Sequence, residues 1–524
     1  MKMVKSLILG SAAGLIAMSG AQAADLPVKA KAVEYVRICS LYGAGFFYIP
    51  GTDTCIKLGG YVRIDTTFNG STYGQPAWNG DLGQGNRYRD YFASRSRMAL
   101  TVDTRTATEY GVVRTFGQAD FQFNNLGGST ANPAVLGAPG VNSNLLSTPG
   151  GGYVAVEMVF IQFAGFTFGK SASAYATPWH GYPGNNNSYL LGGHDTVTGV
   201  NNIQYTAQFG NGVSATIGLD DPTVFNRTVV GNLSVGLPAA GSGVPVNAYG
   251  GTHAPDIVGN IRVDQAWGLF QISGAAHLVN ASYNVLTPGS AAPNAFSEIN
   301  GHPDDKWGGS VMAALQIKNI PTGAGDDLKI DVSYAKGDTK NVISTSAGSP
   351  QFAMFGGTGV AGAYQSVGYG VVTDAIYSGG VGGGATQGLK LTTAWGIRGA
   401  FNHNWDPYWS SSLFGSYSQV MYDGNVLDPT SAKGAFCNAY NAATGVKSAD
   451  YSCNPNFNVA QIGVVTRWTP VKNLTFSAEV GAFFLDQKFT GTNTLVAAPP
   501  KPVAVYEYKD QSTVYLNVRA QRNF

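Results

Sequence analysis

The chain has 524 residues, 70 of them glycine, with charged side chains at 12% and aromatic ones at another 12%. Soluble domains carry roughly 25% charge and disordered chains few aromatics, so neither class fits. A helical membrane protein is excluded beyond Ala23, because no later window offers the roughly 18 to 20 consecutive apolar residues that a helical span needs.

At the N-terminus, Lys2 and Lys5 precede an apolar run from Leu7 to Met18, and Ala21-Gln22-Ala23 forms a small-x-small cleavage site. This pattern predicts a signal peptide over 1–23 and a mature chain beginning near Ala24. Removing Lys2 and Lys5 shifts the formal charge from +1 to −1, which gives no support to a nucleic-acid partner. Cys39, Cys55, Cys437 and Cys453 are four cysteines bound for an oxidising compartment. Three connectivities are open, and the short separations favour Cys39 with Cys55 and Cys437 with Cys453. Without a C-x2-C or histidine cluster they make poor metal ligands, and no cofactor is expected.

From Cys55 the hydropathy alternates with a period of two, as expected of strands with two unlike faces. In Cys55–Phe68, Ile56, Leu58, Val62, Ile64 and Phe68 share one face while Lys57, Tyr61, Arg63, Asp65 and Thr67 share the other. Tyr91–Asp103 places Arg95 and Arg97 opposite Met98, Leu100 and Val102, and Tyr110–Phe123 places Arg114 and Asp120 opposite Val113, Phe121 and Phe123. Weaker segments follow at 153–162, 166–172, 202–208 and 214–220. Clearer ones lie at 256–264 with Arg262 inward, 328–334 with Lys329 and Asp331 inward, and 389–402 with Lys390 and Arg398 inward. Segments at 269–278, 307–317, 409–422 and 457–469 complete the middle. Leu474–Phe484 carries Glu479 inward, and the final strand, Val514–Phe524, carries Arg519 inward.

Sixteen segments result, joined alternately by short links such as Ala164-Gly165 and Asn211-Gly212 and by long polar or Gly-rich links at 69–90, 124–152, 173–201, 221–255, 280–306, 336–388, 423–456 and 488–508. This asymmetry predicts an all-β fold, a sixteen-stranded antiparallel transmembrane β-barrel in the bacterial outer membrane, with short periplasmic turns and long extracellular loops. The expected organisation is 1–23 signal peptide, 24–54 an N-terminal segment tied to the first strand, and 55–524 the barrel. The run Gly379–Gly384 lacks the strand-turn-helix context and the following Lys-Ser/Thr of a phosphate cradle, and reads as loop filler.

Val36-Arg37-Ile38-Cys39, followed by Tyr42-Gly43-Ala44-Gly45-Phe46-Phe47-Tyr48-Ile49-Pro50-Gly51-Thr52-Asp53-Thr54-Cys55, resembles the alphaproteobacterial general porins of the rhizobial and Brucella type. The resemblance continues through Gly59-Gly60-Tyr61-Val62-Arg63 and Phe163–Ser171 to the terminal Phe524. It implies a homotrimer of barrels in outer-membrane lipid that passes ions and small hydrophilic solutes by passive diffusion. It also implies a third long loop, here about Ser173–Val200, folded inward to narrow each pore.

A diffusion pore needs no catalytic group; charges at its narrowest point set its preference. Arg63, Arg95, Arg97, Arg114 and Lys170 are read as a basic wall facing the third loop, which offers His194 and Asp195; the bland alternative is pairing of the arginines with Asp65, Asp103 and Asp120. Arg262, Lys390, Arg398, Glu479 and Arg519 are read as further lumen charges. His180, His194 and Asp195 lack the nucleophile context a hydrolase needs, so no enzyme is expected. Trp405, Tyr408 and Trp409 with Tyr61, Tyr91, Trp307, Trp468 and Tyr515 supply interfacial girdles or, in a sugar-specific channel, a lumenal aromatic path. A β-rich surface protein that is not a channel is the third reading.

Overall fold

The computed structural model describes residues 37–78, 83, 85–87, 89–124, 152–179, 181–194, 198–223, 227–235, 247–343, 351–379, 387–496 and 501–524. The expected signal peptide over 1–23, His180, Asp195, Gly380–Gly384 and most of 124–152 lie outside the described residues.

Among the described residues sixteen antiparallel strands close into a barrel. They are β1 (Thr54–Phe68), β2 (Phe92–Thr108), β3 (Gly111–Asn124), β4 (Tyr153–Phe163), β5 (Phe166–Ser171), β6 (Val200–Gly210), β7 (Val213–Asp220) and β8 (Asp256–Gln265). Then come β9 (Gly268–Val279), β10 (Lys306–Lys318), β11 (Asp327–Lys336), β12 (Thr393–Asn404), β13 (Trp409–Met421), β14 (Phe457–Val471), β15 (Leu474–Gln487) and β16 (Gln511–Asn523). Each pairs with its sequence neighbours, and β1 closes on β16 through a register running from Tyr61 opposite Asn523 to Phe68 opposite Leu516.

The alternation of the sequence becomes the two faces of the wall. Leu58, Val62, Ile64 and Phe68 of β1 point outward and are 42–54% exposed, while Asp65 and Thr67 between them are buried. Such a wall is stable only with hydrocarbon outside, and closure leaves no barrel strand with an unpaired edge in the lipid. The turn Asn211-Gly212 has positive φ at both residues, the geometry a two-residue hairpin needs to match strand twist. Gly60 is required by close approach: a Cβ there would lie 2.0 Å from the Ala99 carbonyl oxygen, beside the Phe524 ring. Phe524 is tied to this glycine by hydrogen bonds in both directions, 3.1 and 3.3 Å.

The expected strand 389–402 divides in two. Gln387–Leu391 pairs with Ala375–Ser378, which pairs in parallel with Val230–Asn232, outside the barrel. Thr392 donates its N–H to the Asp374 carbonyl, and the barrel strand begins at Thr393. Lys390 therefore sits on the loop side of this break and not on the lumen wall, where the unbroken alternation had placed it.

The long loops are not filler. Strands 351–356, 365–371, 504–508 and 492–495 form a four-stranded sheet in that order. Its central pair is parallel, so the loop after β11 is bonded to the loop after β15. Helix α1 (Ala432–Ala443) is capped by Ser431, whose hydroxyl accepts the Gly434 N–H at 3.0 Å. The disulfide Cys437–Cys453 pins α1 to the loop that leads into β14, and Cys39–Cys55 pins the N-terminal segment to β1. Phe352, Tyr369, Phe436, Tyr440, Phe457 and Tyr506 form the apolar core of this cap, which Trp78 of the first loop and Leu191 of the third loop join.

Candidate pore constriction

The third loop leaves the short strand β5 at Ser171 and returns at Val200. It folds inside the barrel because the lumen wall offers donors to its carbonyls along the way. Asn260 of β8 donates to the Ala174 carbonyl at 2.6 Å, Gln271 of β9 to Ala176 at 2.7 Å, and Arg262 to Pro178 at 3.3 Å. Farther round, Arg467 of β14 donates to the Gly184 carbonyl and Arg519 of β16 to Asn186. Glu479 of β15 receives the side-chain amide of Asn187 at 2.7 Å and the Tyr515 hydroxyl at 2.8 Å. The returning stretch docks on β12, where Arg398 donates to the Leu190 and His194 carbonyls. Each contact satisfies a polar group that would otherwise be buried without a partner.

The arginines of β2 and β3 are ion-paired. Arg95 meets Asp65 at 2.7 Å, and the same carboxylate receives Arg519. Arg97 meets Asp120 at 2.6 Å, with Gln122 at 2.7 Å and Glu157 at 3.7 Å. Tyr73 of the first loop covers both, its ring 4.8 and 5.6 Å from the two guanidinium carbons. Nearer the short-turn rim, Asp103 is shared by Arg105 at 3.1 Å and Arg114 at 2.9 Å, both arginines 29% exposed. Arg398 is fully buried against Asp331 at 3.0 Å. Arg262 pairs with Asp264 at 2.6 Å and is about a third exposed.

Other residues stand differently. Among the described residues Arg63 has no carboxylate within ion-pair distance; its Nε donates to Gln521 at 2.8 Å and its guanidinium lies 4.5 Å from the Tyr61 ring. Lys170 is opposite Val159 on the outward parity of Phe166 and Phe168, and its ammonium bonds the Val156 carbonyl. His194 is buried, its Nδ1 2.6 Å from the Asn341 Oδ1, and desolvation together with Lys340 and Arg398 holds its pKa well below the usual value. Of the aromatics, Trp307, Trp409 and Trp468 are exposed on the outer wall, whereas Tyr61 and Tyr515 share the parity of the inward charges.

The sequence reading missed Arg467, Glu157 and Tyr73. Arg467 lies on the inner parity of β14, but that parity carries Phe457 and Val459 higher up, both buried under the cap. With apolar residues on both faces there, the alternation is blunted. Glu157 occupies an irregularity in the β3–β4 register, between Val156 opposite Ala119 and Met158 opposite Gln118, and such a step resets the parity.

Comparison with known proteins agrees with this architecture. The porin Omp2b of Brucella suis is 36% identical over 270 residues, covering 51% of this chain and 64% of the relative. Omp2b of Brucella suis biovar 1 is 35% identical over 268 residues, covering 51% and 63%. The chain thus spans just under two thirds of these relatives. Among solved structures, the outer membrane channel DcaP of Acinetobacter baumannii shares the fold at a TM-score of 0.52 and 13% identity, covering 91% of this chain and 99% of that one. The family described as Porin subfamily matches residues 25–517. With that match running from the N-terminal segment into the last strand, the chain belongs to the porin family.

Proposed function

We propose that the protein is an outer-membrane porin that passes ions and small hydrophilic solutes by passive diffusion, a channel and not an enzyme. The observation that carries this reading is a closed barrel, apolar outside and charged inside, with the third loop held within it by Arg262, Arg398, Arg467, Glu479 and Arg519. Selectivity then arises from the wall charges at the level of that loop, Arg63, Arg95, Arg97 and Arg519 among them, with Arg114 just below. A homotrimer is part of the proposal: β5 spans six residues, short of the roughly nine to eleven that cross a bilayer, and a neighbouring barrel would cover that low stretch of wall. A signal peptide over 1–23 is likewise part of it.

Planar-bilayer recording of the purified protein tests the reading. Discrete ohmic steps in simple salt are expected, and folded protein that inserts without conducting would end it. Native and cross-linked mass would give three copies, and a monomer at all concentrations would remove the trimer. A solute-specific channel is the second reading, favoured by the inward Tyr61 beside Arg63, and it predicts saturable block by one solute class.

A further inference from the structure

We infer that the fourth long loop, 221–255, is locked to the long-loop rim of the barrel by a proton-operated clasp, closed while Asp256 and His277 share a proton and released when that proton leaves. The clasp joins a loop to the wall and stands whether or not the barrel conducts. Four strands carry a polar row at this rim: Asn202 of β6 is opposite Asp220 of β7, Asp220 is opposite Asp256 of β8, and Asp256 meets His277 of β9. Asp220, Asp256 and His277 are all buried. From the row a chain of hydrogen bonds runs into the loops. His277 Nδ1 lies 2.6 Å from Asp256 Oδ1, its Nε2 lies 2.9 Å from the Tyr249 hydroxyl, and that hydroxyl donates to Asp374 Oδ2 at 2.9 Å. Asp374, in the long link after β11, also accepts the N–H groups of Thr228 at 2.9 Å and Thr339 at 2.7 Å. Thr228 and Tyr249, from the outgoing and returning arms of the fourth loop, thus meet on one carboxylate.

The proton count makes this chain a switch. The Tyr249 hydroxyl has one proton and gives it to Asp374, so its oxygen accepts from His277 and Nε2 carries a hydrogen. The contact between Nδ1 and Asp256 then needs a second proton, held between ring and carboxylate. Once it leaves, one of two things happens. Either two lone pairs face each other across that contact, or the ring moves its remaining proton to Nδ1 and Nε2 draws the Tyr249 hydroxyl away from Asp374. Each breaks one link. Where the lone pairs face each other, Asp256 is also an uncompensated carboxylate directly opposite Asp220, and like charges opposed across a ladder destabilise it. Admitting water by loosening the loop relieves that cost.

The remaining charges that act on this chain are Asp338 and Lys340 after β11, and Asp221 and Arg227 in the fourth loop. Burial and the nearby Asp374 push the Tyr249 phenol well above its ordinary range, so its hydroxyl keeps its proton while the shared one is lost. Asp338, which burial raises to about 7, changes charge close to neutrality and serves as the control. Val230, Val235 and Ala248 of the fourth loop pack with Val279 of β9 and Tyr377, so release of the clasp loosens the loop and leaves the barrel closed.

The test is hydrogen exchange of the folded full chain in detergent, with protection taken relative to the intrinsic rate at each pH, from about pH 7 to about pH 9.5, above the ordinary imidazole range. Protection across 227–235 and 247–250 is expected to fall about tenfold or more over that span while β2 and β3 keep theirs. Tyr249→Phe removes the middle link and leaves the Asp256–His277 pair in place. It is expected to show the low protection at both ends of the span, with no step, as is His277→Gln. Asp338→Asn is expected to keep the step. Each variant is checked for the folded band in unboiled electrophoresis, and Tyr249→Phe, which alters only the loop, decides the case if His277→Gln gives no such band. Wild-type protection that does not change, a step that survives Tyr249→Phe, a step lost in Asp338→Asn, or a fall shared equally by β2 and β3 would each overturn the clasp.

Discussion

Arg95, Arg97 and Arg398 are 1–5% exposed and each is locked to a carboxylate. Arg63 and Arg467 come from the same barrel and the same inward parity, yet keep guanidinium nitrogens unclaimed by any carboxylate. The difference lies in what covers them. Tyr73 lies over Arg95 and Arg97, the third loop closes on Arg398, and the cap adds an apolar roof through Trp78 and Leu191. Fully buried charges need a charged partner, whereas Arg63 and Arg467, the more open pair, are half-buried and are held by neutral acceptors, Gln521 for one and Ser412 with the Gly184 carbonyl for the other. An inward arginine is thus locked to a carboxylate or left with spare donors according to how deeply the loops bury it.

The largest effect comes from breaking a covered pair. Asp65→Asn leaves Arg95 and Arg519 without their shared carboxylate, and losing one partner of a buried pair costs about 3–5 kcal/mol. The temperature at which the folded band disappears in gel electrophoresis should fall markedly. Adding Arg95→Gln should restore part of the loss, because the stranded charge is then gone. A single variant that melts like wild type would place these arginines in water and erase the distinction.

Next in size is the roof itself. The Cys437–Cys453 bridge closes a loop of about 15 residues, worth about 3 kcal/mol in chain entropy. Cys437→Ser with Cys453→Ser should make 422–456 sensitive to limited proteolysis while the barrel's melting stays near wild type. Unchanged protease resistance would mean that the apolar core holds the cap alone.

The difference between covered and open arginines also marks what was legible in the sequence. The sixteen strands followed from alternation, and the two disulfides from spacing. Arg95 and Arg97 were grouped with Arg63 because parity reports only which face a residue takes. Whether water reaches it depends on loops distant in sequence, such as the parallel pairing of Gln365–Val367 with Tyr506–Tyr508. No local pattern encodes that contact, and the same cap hid Arg467 by making the upper inner face of β14 apolar.

A smaller effect is expected of pH, at the covered end of the third loop. Burial with Lys340 and Arg398 nearby keeps the His194 imidazole neutral when docked, with Asn341 at its Nδ1 and Tyr175 edge-on to the ring. A depressed folded pKa means that docking is fully supported above the ordinary imidazole pKa of about 6.5 and loses support as pH falls below it. Asp338, which accepts from Asn341, opposes this: burial raises its carboxyl to about 7, so docking gains support as it protonates. The wild-type profile is therefore shallow, and His194→Asn exposes the Asp338 contribution alone. Amide protection across 188–194, measured relative to the intrinsic exchange rate at each pH, should be greater at pH 5 than at pH 7.5 in that variant and nearly equal in wild type. Parallel profiles would show that the imidazole does not titrate between the docked and free loop.

The smallest stability effect belongs to the open side. Arg63→Gln removes one hydrogen bond to Gln521, worth about 1 kcal/mol, and relieves repulsion from Arg519, so melting should barely move. The expected change is electrical: with one uncompensated charge gone, the reversal potential in a salt gradient shifts towards cations. The shift should exceed that of the Arg95→Gln, Asp65→Asn double variant, which removes one charge of each sign from a covered pair and leaves the net charge unaltered. Equal shifts would mean that ions sense covered and open charges alike. A shift confined to Arg63 would mean that the loops, by deciding which arginines meet water, set the field that solutes cross.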